Sequence, residues 1–443
     1  MIRAVEGHAI DLAVEPFGWL LLVIFIVGYY FIAAEEKYHI NKAKPALFTG
    51  TLLFMLLGGY YAYNGLNMAV FENEIAHLIL EIAEIFFFLF VAMTYIEALI
   101  ERNVFNALKE KLISRGYGYR QLFWVTGVMA FFISPVADNL TTALILSTVL
   151  ITIDKTNKAF LVPAAINIVV AANAGGAWSP FGDITTLMAW TANKGTFIDF
   201  IFLFPSAIIG WVITAFLLSR FVPEDHPVKE VEGSAEDNKI LKGGRVIIFM
   251  GVMTIALAVI SKQIMHLPPM WGMLFGLSVL KLYAYTLKRH HDVDIQIYSS
   301  VSKIENDTLL FFFGILAAVG ALHFAGFLGH AVKLYDMFSP TAVNIGVGFL
   351  SAVVDNVPVM SAVLKANPDL PLAQWMLVTL TAGVGGSLIS FGSAAGVGVM
   401  GKLKGIYTFG AHMKFAWTIL IGYIASIAIW YVQFEMLGLY LKH

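Results

Sequence analysis

Long apolar runs separated by short polar loops constrain this chain more than any other feature. The runs lie at about 17–34, 46–63, 75–100, 120–153, 159–191, 198–219, 246–261, 269–287, 307–325, 337–364, 372–400 and 411–435. A helix of about 20 apolar residues crosses the ~30 Å hydrocarbon core of a bilayer. Because 59% of the 443 residues are hydrophobic and only 13% are charged, a water-soluble fold could not bury them. The sequence therefore predicts an all-α integral membrane protein, with the lipid bilayer as its main partner.

Two of the runs have a length that fits neither one span nor two. Residues 121–153 contain a break at Ser134–Asn139, and residues 337–364 contain a similar break at Asp355–Pro358. Two full spans with a turn need roughly 40 residues, whereas one span needs about 20. We interpret 120–153 and 337–364 as re-entrant hairpins, each made of two short helices that meet near the middle of the membrane.

The distribution of positive charge sets the predicted topology. With both hairpins in place, 21 of the 28 Lys and Arg residues fall on one side of the membrane, and that side should be cytoplasmic. About ten spanning helices follow, with both termini periplasmic, in a bacterial inner (plasma) membrane. The acidic residues Glu6, Asp11 and Glu15 and the length of the run 17–34 argue against a cleaved signal peptide. The net charge of -2 indicates no nucleic-acid partner, and the absence of cysteine excludes a thiolate metal site and a disulfide.

Two pairs of motifs relate the halves of the chain. The Asp-Asn pair at 138–139 recurs at 355–356, which is 217 positions later. The Gly-rich stretch at 175–183 recurs at 385–393, which is 210 positions later. Because the first hairpin would enter the membrane from the cytoplasm and the second from outside, the repeats are predicted to be inverted. This arrangement is typical of secondary transporters, whose site lies where the repeats meet.

The repeats define the predicted domain organisation. We predict a first repeat at 1–221 with a broken helix at 159–191, a cytoplasmic linker at 222–244, and a second repeat at 245–443 with a broken helix at 372–400. Glycines clustered inside an apolar run unwind a helix and free its backbone carbonyls. Close packing of helices through small residues is the alternative explanation for a single glycine, but parallel Gly-rich breaks in both halves favour interrupted helices.

Asp138 and Asp355 are the residues most indicative of function. A carboxylate at membrane depth costs about 2.5–3.5 kcal/mol on insertion scales, so two at equivalent repeat positions point to a purpose. Each could also cap the second helix of its hairpin, although serine would do so without a charge. We interpret the pair as handling ions or protons directly.

The predicted site is built entirely from oxygen ligands, which hard cations such as Na+ prefer. We place Na+ at Asp138, Asn139, Asp355 and Asn356. The remaining candidate ion- and proton-binding residues are Ser134, Thr141, Thr142, Asn173, Ser179, Asp183, Ser351, Ser390 and Ser393. Each hydroxyl taken alone could equally serve helix packing. A carboxylate pocket holds either Na+ or a proton, so movement of loaded states only would exchange one for the other.

Three further acidic residues have open interpretations. Asp183 ends the first Gly-rich stretch, and its equivalent in the second repeat is Ser393, so it could bind a cation or only cap the next helix. Glu81 and Glu84 share one face of the run 75–100. They could form a proton path, or they could be an interfacial polar stripe.

The hairpin-tip Asp-Asn pairs and the Ser-Pro-Phe-Gly-Asp segment at 179–183 resemble the ion transporter superfamily, and within it the NhaD-type Na+/H+ antiporters. The resemblance covers nearly the whole chain. It implies a non-enzymatic transporter of Na+, with Li+ as a second substrate, in exchange for H+. It also implies no cofactor, a homodimer and an elevator-like motion. Ser351, Asp355, Asn356, Ser390 and Ser393 match the polar positions expected of that group.

Two other functions compete with cation exchange. A Na+-coupled transporter of dicarboxylate or another anion belongs to the same superfamily, but it would need positive charge or helix N-termini at the site. No Lys or Arg lies within the repeat motifs. An intramembrane aspartyl protease also needs two membrane aspartates sharing a proton, yet neither Asp138 nor Asp355 lies in a Gly-x-Gly-Asp motif.

Overall fold

The computed structural model describes residues 11–34, 38, 40–107, 115–227, 239–291 and 306–438. Throughout these ranges the chain forms helices joined by turns and loops, with no strand, which confirms the all-α class. Eight of the described helices are long and apolar enough to cross a membrane, or nine if one bent pair counts as a span. The prediction of about ten spans counts the two interrupted helices and neither hairpin, and it stays a prediction. Glu6, the C-terminus and much of the predicted linker lie outside the described residues.

Nine α-helices lie in the described part of the chain before the predicted linker. They are α1 (Pro16–Ala33), α2 (Ala43–Tyr63), α3 (Met68–Glu101), α4 (Tyr119–Ala137), α5 (Asn139–Ile153), α6 (Lys158–Ala177), α7 (Ile184–Thr191), α8 (Phe197–Ile201) and α9 (Phe204–Ser219). The described helices of the second half are α10 (Gly244–Gln263), α11 (Pro269–His291), α12 (Asn306–Phe324), α13 (Phe327–Met337), α14 (Pro340–Val353), α15 (Asn356–Ala366), α16 (Leu372–Gly385), α17 (Ala394–Lys402), α18 (Phe409–Met413) and α19 (Ala416–Trp430).

The first predicted hairpin contains two helices whose outer ends are joined by a hydrogen bond. The Tyr119 hydroxyl at the start of α4 donates a 2.6 Å hydrogen bond to the Asp154 carboxylate, which caps the end of α5. The outer ends of the two helices therefore lie side by side, and Asp138 forms the tip between them. Pro135 lies in the last turn of α4, where the chain leaves the helix shortly afterwards.

Hydrogen bonds join each hairpin to the interrupted helix that follows it. In the first half, Ser134 Oγ donates to the Ala172 carbonyl at 2.6 Å. In the second half, Ser351 Oγ donates to the Ala382 carbonyl at 2.6 Å. The serines are 217 positions apart and the carbonyls 210 apart, the offsets that the two sequence motifs have. Equivalent atoms of the two halves thus make the same contact.

Glycine packing repeats in the same way. A Cβ atom built on Gly175 would lie 2.4 Å from the Phe131 carbonyl oxygen, and one on Gly385 would lie 2.3 Å from the Gly348 carbonyl oxygen. Only glycine permits this approach, because real Cβ atoms do not come within 3.0 Å of such an atom. The small residues in the Gly-rich stretches therefore serve packing as well as interruption of the helices, so both explanations of these glycines apply.

The interrupted helices have similar breaks. Residues 178–183 separate α6 from α7, and residues 386–393 separate α16 from α17. Asp183 and Ser393 cap the helices that resume, by accepting hydrogen bonds from the backbone of Thr185 and Gly396 respectively. The breaks place carboxylate and hydroxyl groups deep among the helices. Nearly every residue of α6 and α16 is buried.

One helix was not expected from the sequence. The span at Asn306–Phe324 is followed by Gly326, whose φ of 90° turns the chain into α13 at an angle of 77°. Glycine tolerates this left-handed conformation at no steric cost. The predicted hairpin at 337–364 accordingly begins later, at Pro340, and α13 is a separate element.

Candidate functional site

The carboxylate of Asp183 links the tips of both hairpins. It accepts hydrogen bonds from the Asn139 side chain at 2.7 Å and from the Asn356 side chain at 3.1 Å. It also accepts from the backbone N–H and the hydroxyl of Thr185, both at 2.9 Å. Asp183, Asn139 and Asn356 are all buried. Donors from three different elements thus surround the carboxylate.

Asn173 extends this network to the other interrupted helix. Its carbonyl oxygen accepts from Asn139 at 3.0 Å, and its amide nitrogen donates to the hydroxyls of Ser387 and Ser393, both at 2.8 Å. Asn173 and both serines are completely buried. A continuous polar network therefore runs from the first hairpin through the first interrupted helix to the second one. Sequence reasoning missed Ser387, although it lies beside the Gly-Gly pair of the second break.

Asp138 forms the tip of the first hairpin in an unusual backbone conformation. Its φ is 55° and its ψ is 164°, a region that residues other than glycine adopt at a cost of about 1–3 kcal/mol. The carboxylate accepts from the Thr141 backbone N–H at 2.8 Å and from the Thr141 hydroxyl at 2.7 Å. The capping interpretation therefore applies. Glycine would relieve the backbone strain, so the aspartate at this position points to a use for the carboxylate itself.

A cavity lies next to Thr141. It measures about 220 Å³ and is lined by Glu97, Thr141, Thr148 and Lys402, together with apolar residues of α3 and α5. Asp138, three positions before Thr141, is half-buried.

Asp355 forms the tip of the second hairpin and contacts the first two helices of the chain. Its carboxylate lies 3.3 Å from Lys42 Nζ, and its backbone N–H donates to the Tyr29 hydroxyl at 2.8 Å. Asp355 also caps α15 by accepting from Val357 N–H, at 3.4 Å. Sequence reasoning placed no positive charge near Asp355, because Lys42 precedes it by 313 positions.

Two predicted ligands are buried hydroxyls without a hydrogen-bond partner. Thr142 Oγ1 and Ser390 Oγ are both inaccessible and unpartnered. Thr142 lies in the first turns of α5 and Ser390 in the break after α16. Buried polar atoms in a native protein normally have a partner, so an ion or water is the expected occupant near each of them.

The remaining predicted hydroxyl ligands bind backbone carbonyls. Ser134 and Ser351 donate to the interrupted helices as described above, and Ser179 donates to the Pro135 carbonyl at 2.9 Å. All three are buried. These hydrogen bonds attach the hairpins to the interrupted helices. Ser134 and Ser351 each lie about one helical turn before the aspartate at the tip of their hairpin.

One glutamate on the acidic face of α3 is paired with a basic residue from the second half. Glu81 Oε2 lies 2.7 Å from Lys365 Nζ at the end of α15. This ion pair ties the outer end of the second hairpin to α3. A role of Glu81 and Glu84 in proton transfer stays a prediction.

His412 is a second buried residue that sequence reasoning missed. Its Nε2 lies 3.0 Å from the Ser387 carbonyl and 3.2 Å from the Leu388 carbonyl, while its Nδ1 lies 2.7 Å from the Tyr407 hydroxyl. Carbonyls only accept hydrogen bonds, so Nε2 carries the proton and Nδ1 accepts from Tyr407. The imidazole thereby binds carbonyls freed by the break after α16.

A charge exchange tests the pairing of Glu81 with Lys365. Glu81→Lys is expected to lower the apparent melting temperature by roughly 2–4 °C, because two ammonium groups would then meet at the end of the second hairpin. The double variant Glu81→Lys, Lys365→Glu should recover most of this loss. Thermal unfolding of purified protein measures both effects, and equal melting temperatures for the single and double variants would contradict the pairing.

A secondary transporter typically has long apolar helices with matched breaks in the two halves of the chain. This chain has both features, and a buried carboxylate joins its two hairpin tips. Residues 20–383 match the family model described as CitMHS: Citrate transporter. The chain is 43% identical to the Na(+)/H(+) antiporter NhaD of Alkalimonas amylolytica, over 97% of this chain and 93% of the relative. It is 41% identical to the NhaD antiporter of Vibrio cholerae serotype O1, over 96% and 93% of the two chains.

Similarity extends to plants. Sodium/proton antiporter 1 of Arabidopsis thaliana is 29% identical over 92% of this chain and 71% of the relative. The chain therefore belongs to the citrate-transporter-type membrane transporter family, and within it to the NhaD-type antiporters. It is a multi-pass membrane transporter and not an enzyme.

Proposed function

We propose that this protein exchanges Na+, and also Li+, for H+ across the bacterial inner membrane. The observation that carries the proposal is the buried Asp183 carboxylate, which accepts hydrogen bonds from Asn139 and Asn356 of the two hairpin tips. The buried carboxylates and hydroxyls near the two interrupted helices are oxygen ligands of the kind that a hard cation prefers. The antiporter names of relatives that match nearly the whole chain support the same function.

In this proposal the ion site includes Asp138, Asn139, Asp355 and Asn356, with nearby buried hydroxyls as further ligands. Ser390 and Thr142 are the strongest hydroxyl candidates, because their oxygens are buried and have no protein partner. Cation and proton compete for the same carboxylates, since a protonated carboxylate no longer attracts Na+. Asp183 holds the two hairpin tips together through its hydrogen bonds with Asn139 and Asn356.

The proposed architecture consists of two inverted repeats with one re-entrant hairpin each. The repeated Ser-to-carbonyl and Gly-to-carbonyl contacts support equivalent halves. The excess of Lys and Arg on one predicted side supports a cytoplasmic orientation for those loops, with both termini periplasmic. A homodimer follows only from the resemblance to the antiporter family.

The proposal is tested in vesicles that contain the purified protein and a trapped pH dye. An acid interior is imposed, and Na+, Li+, K+, succinate or citrate is added outside. Rapid alkalinisation with Na+ or Li+ is expected. Asp138→Asn and Asp355→Asn should each reduce its rate at least about 100-fold, because a neutral amide cannot exchange a proton for a cation.

A matched control is Asp199→Asn. Asp199 accepts from the backbone and hydroxyl of Thr196 at the start of a short helix, so the substitution alters an aspartate that makes its own local cap and no hydrogen bond to the hairpin tips. It should leave exchange near the wild-type rate. If no cation alkalinises the vesicles but succinate or citrate is taken up saturably, the protein is an anion transporter and cation exchange is wrong.

A further inference from the structure

Lys42 reaches the second hairpin tip from a helix outside it. Its ammonium lies 3.3 Å from Asp355 Oδ2, with the side chains 17% and 8% exposed, and 4.3 Å from the centroid of the Phe311 ring. Lys42 precedes α2, and Phe311 belongs to α12. The aromatic face and the carboxylate together hold the positive charge in place.

The Lys42 ammonium lies at the position that a monovalent cation bound by the Asp355 carboxylate would take. Both carry one positive charge, and both would take the same carboxylate oxygen. Two unit charges about 4 Å apart repel each other strongly enough to change a binding constant by up to about 1,000-fold at an effective dielectric constant of ~20. Partial exposure of Lys42 reduces this effect. Na+ at Asp355 therefore requires the Lys42 side chain to withdraw.

The ion pair also connects the start of α2 to the second hairpin tip. α2 packs mainly against α12 and α1, whereas Asp355 lies at the tip formed by α14 and α15. The Tyr29 hydroxyl of α1 accepts from the Asp355 N–H at the same point. Withdrawal of Lys42 would thus remove one of the polar contacts between the second hairpin tip and these helices, and the Tyr29 contact would remain.

Resting on the proposed function, we propose that Lys42 is a tethered cation that competes with Na+ for the Asp355 carboxylate. The Lys42 ammonium pairs with the Asp355 carboxylate when no ion is bound, and the Lys42 side chain moves away when Na+ binds. Lys42 is then a positioning residue that sets the affinity for Na+. If Lys42 only stabilised the fold, removing it would lower stability without tightening Na+ binding.

The experiment compares the Na+ concentration dependence of exchange in vesicles for three variants. Lys42→Met removes the charge and keeps the length of the side chain, and its KM for Na+ is expected to fall about 10-fold. Lys42→Arg keeps the charge and should stay close to the wild-type KM. Lys44→Met is the matched control, because Lys44 is an exposed lysine two positions away, and its KM should change less than twofold.

Direct binding of ²²Na+ to purified protein in detergent provides a second readout that needs no turnover. Lys42→Met, or Lys42→Gln if the methionine variant does not fold, should bind ²²Na+ about 10-fold more tightly than wild type. An unchanged or weaker affinity in a folded variant overturns the proposal. Wild-type protein that exchanges no cation would disprove the proposed function, whereas the binding assay would still decide whether Lys42 competes with Na+ at Asp355.

Discussion

Asp183→Asn is expected to lower the rate of Na+/H+ exchange at least about 100-fold in protein that still folds. The amide oxygen can keep the hydrogen bonds from Thr185 that cap α7. Its nitrogen, however, would face the amide groups of Asn139 and Asn356, which now donate to the Asp183 carboxylate. Hydrogen bonds to a charged group contribute about 1.5–3 kcal/mol each, so losing two lowers the population of the arrangement that joins both hairpin tips by at least ~3 kcal/mol, or about 100-fold.

The rate of alkalinisation of acid-loaded vesicles, normalised to the amount of incorporated protein, measures this effect. Asp199→Asn serves as the control again, because it alters an aspartate cap far along the chain from both hairpin tips. Size-exclusion chromatography of both variants establishes that they fold. Exchange by Asp183→Asn within threefold of the wild-type rate would show that the carboxylate is a helix cap only.

Gly385→Ala is expected to lower both the yield of folded protein and its melting temperature. A Cβ atom there would lie 2.3 Å from the carbonyl oxygen, 2.8 Å from the carbonyl carbon and 2.9 Å from the Cα atom of Gly348. These are backbone atoms of α14, so relief requires the hairpin to move away from α16. Such a shift would also disturb the bond from Ser351 to the Ala382 carbonyl. Overpacking of this kind costs about 1–3 kcal/mol or more.

Gly401→Ala is the matched control for this prediction. Gly401 lies in α17, and nothing comes within 4 Å of a Cβ atom built on it. Alanine is also the better helix former, so this variant should be as stable as wild type. The yield of monodisperse protein and its melting temperature compare the two. Equal yields and melting temperatures would contradict the close packing of α14 on α16.

Local sequence patterns predicted the two hairpins and the two interrupted helices because they have local causes. An apolar run of about 33 residues with an Asp-Asn break in the middle is too long for one span and too short for two. Clustered glycines destabilise a helix wherever the fold places them. The helices at Tyr119–Ala137 and Asn139–Ile153 meet at Asp138, as the break at 134–139 indicated. Helix α13 was missed because its start depends on one bend at Gly326 rather than on a hydrophobic pattern.

The centre of the site was harder to predict. Sequence symmetry drew attention to Asp138 and Asp355, which occupy equivalent positions, and left the role of the unmatched Asp183 open. In the structure Asp183 contacts both hairpin tips through Asn139 and Asn356. A residue that bridges two halves need not have a counterpart in each of them, so the repeat gave no signal for this role.

The sequence by itself determined the membrane class, the helical fold and the positions of the breaks, since these depend on hydrophobic length and on the local properties of glycine and proline. Only the tertiary structure decided which polar groups meet. Lys42 and Asp355 are 313 positions apart, and Asn173 and Ser387 are 214 apart. No local propensity connects residues at such separations. They meet because the helices bury their polar atoms against one another, where each atom needs a partner.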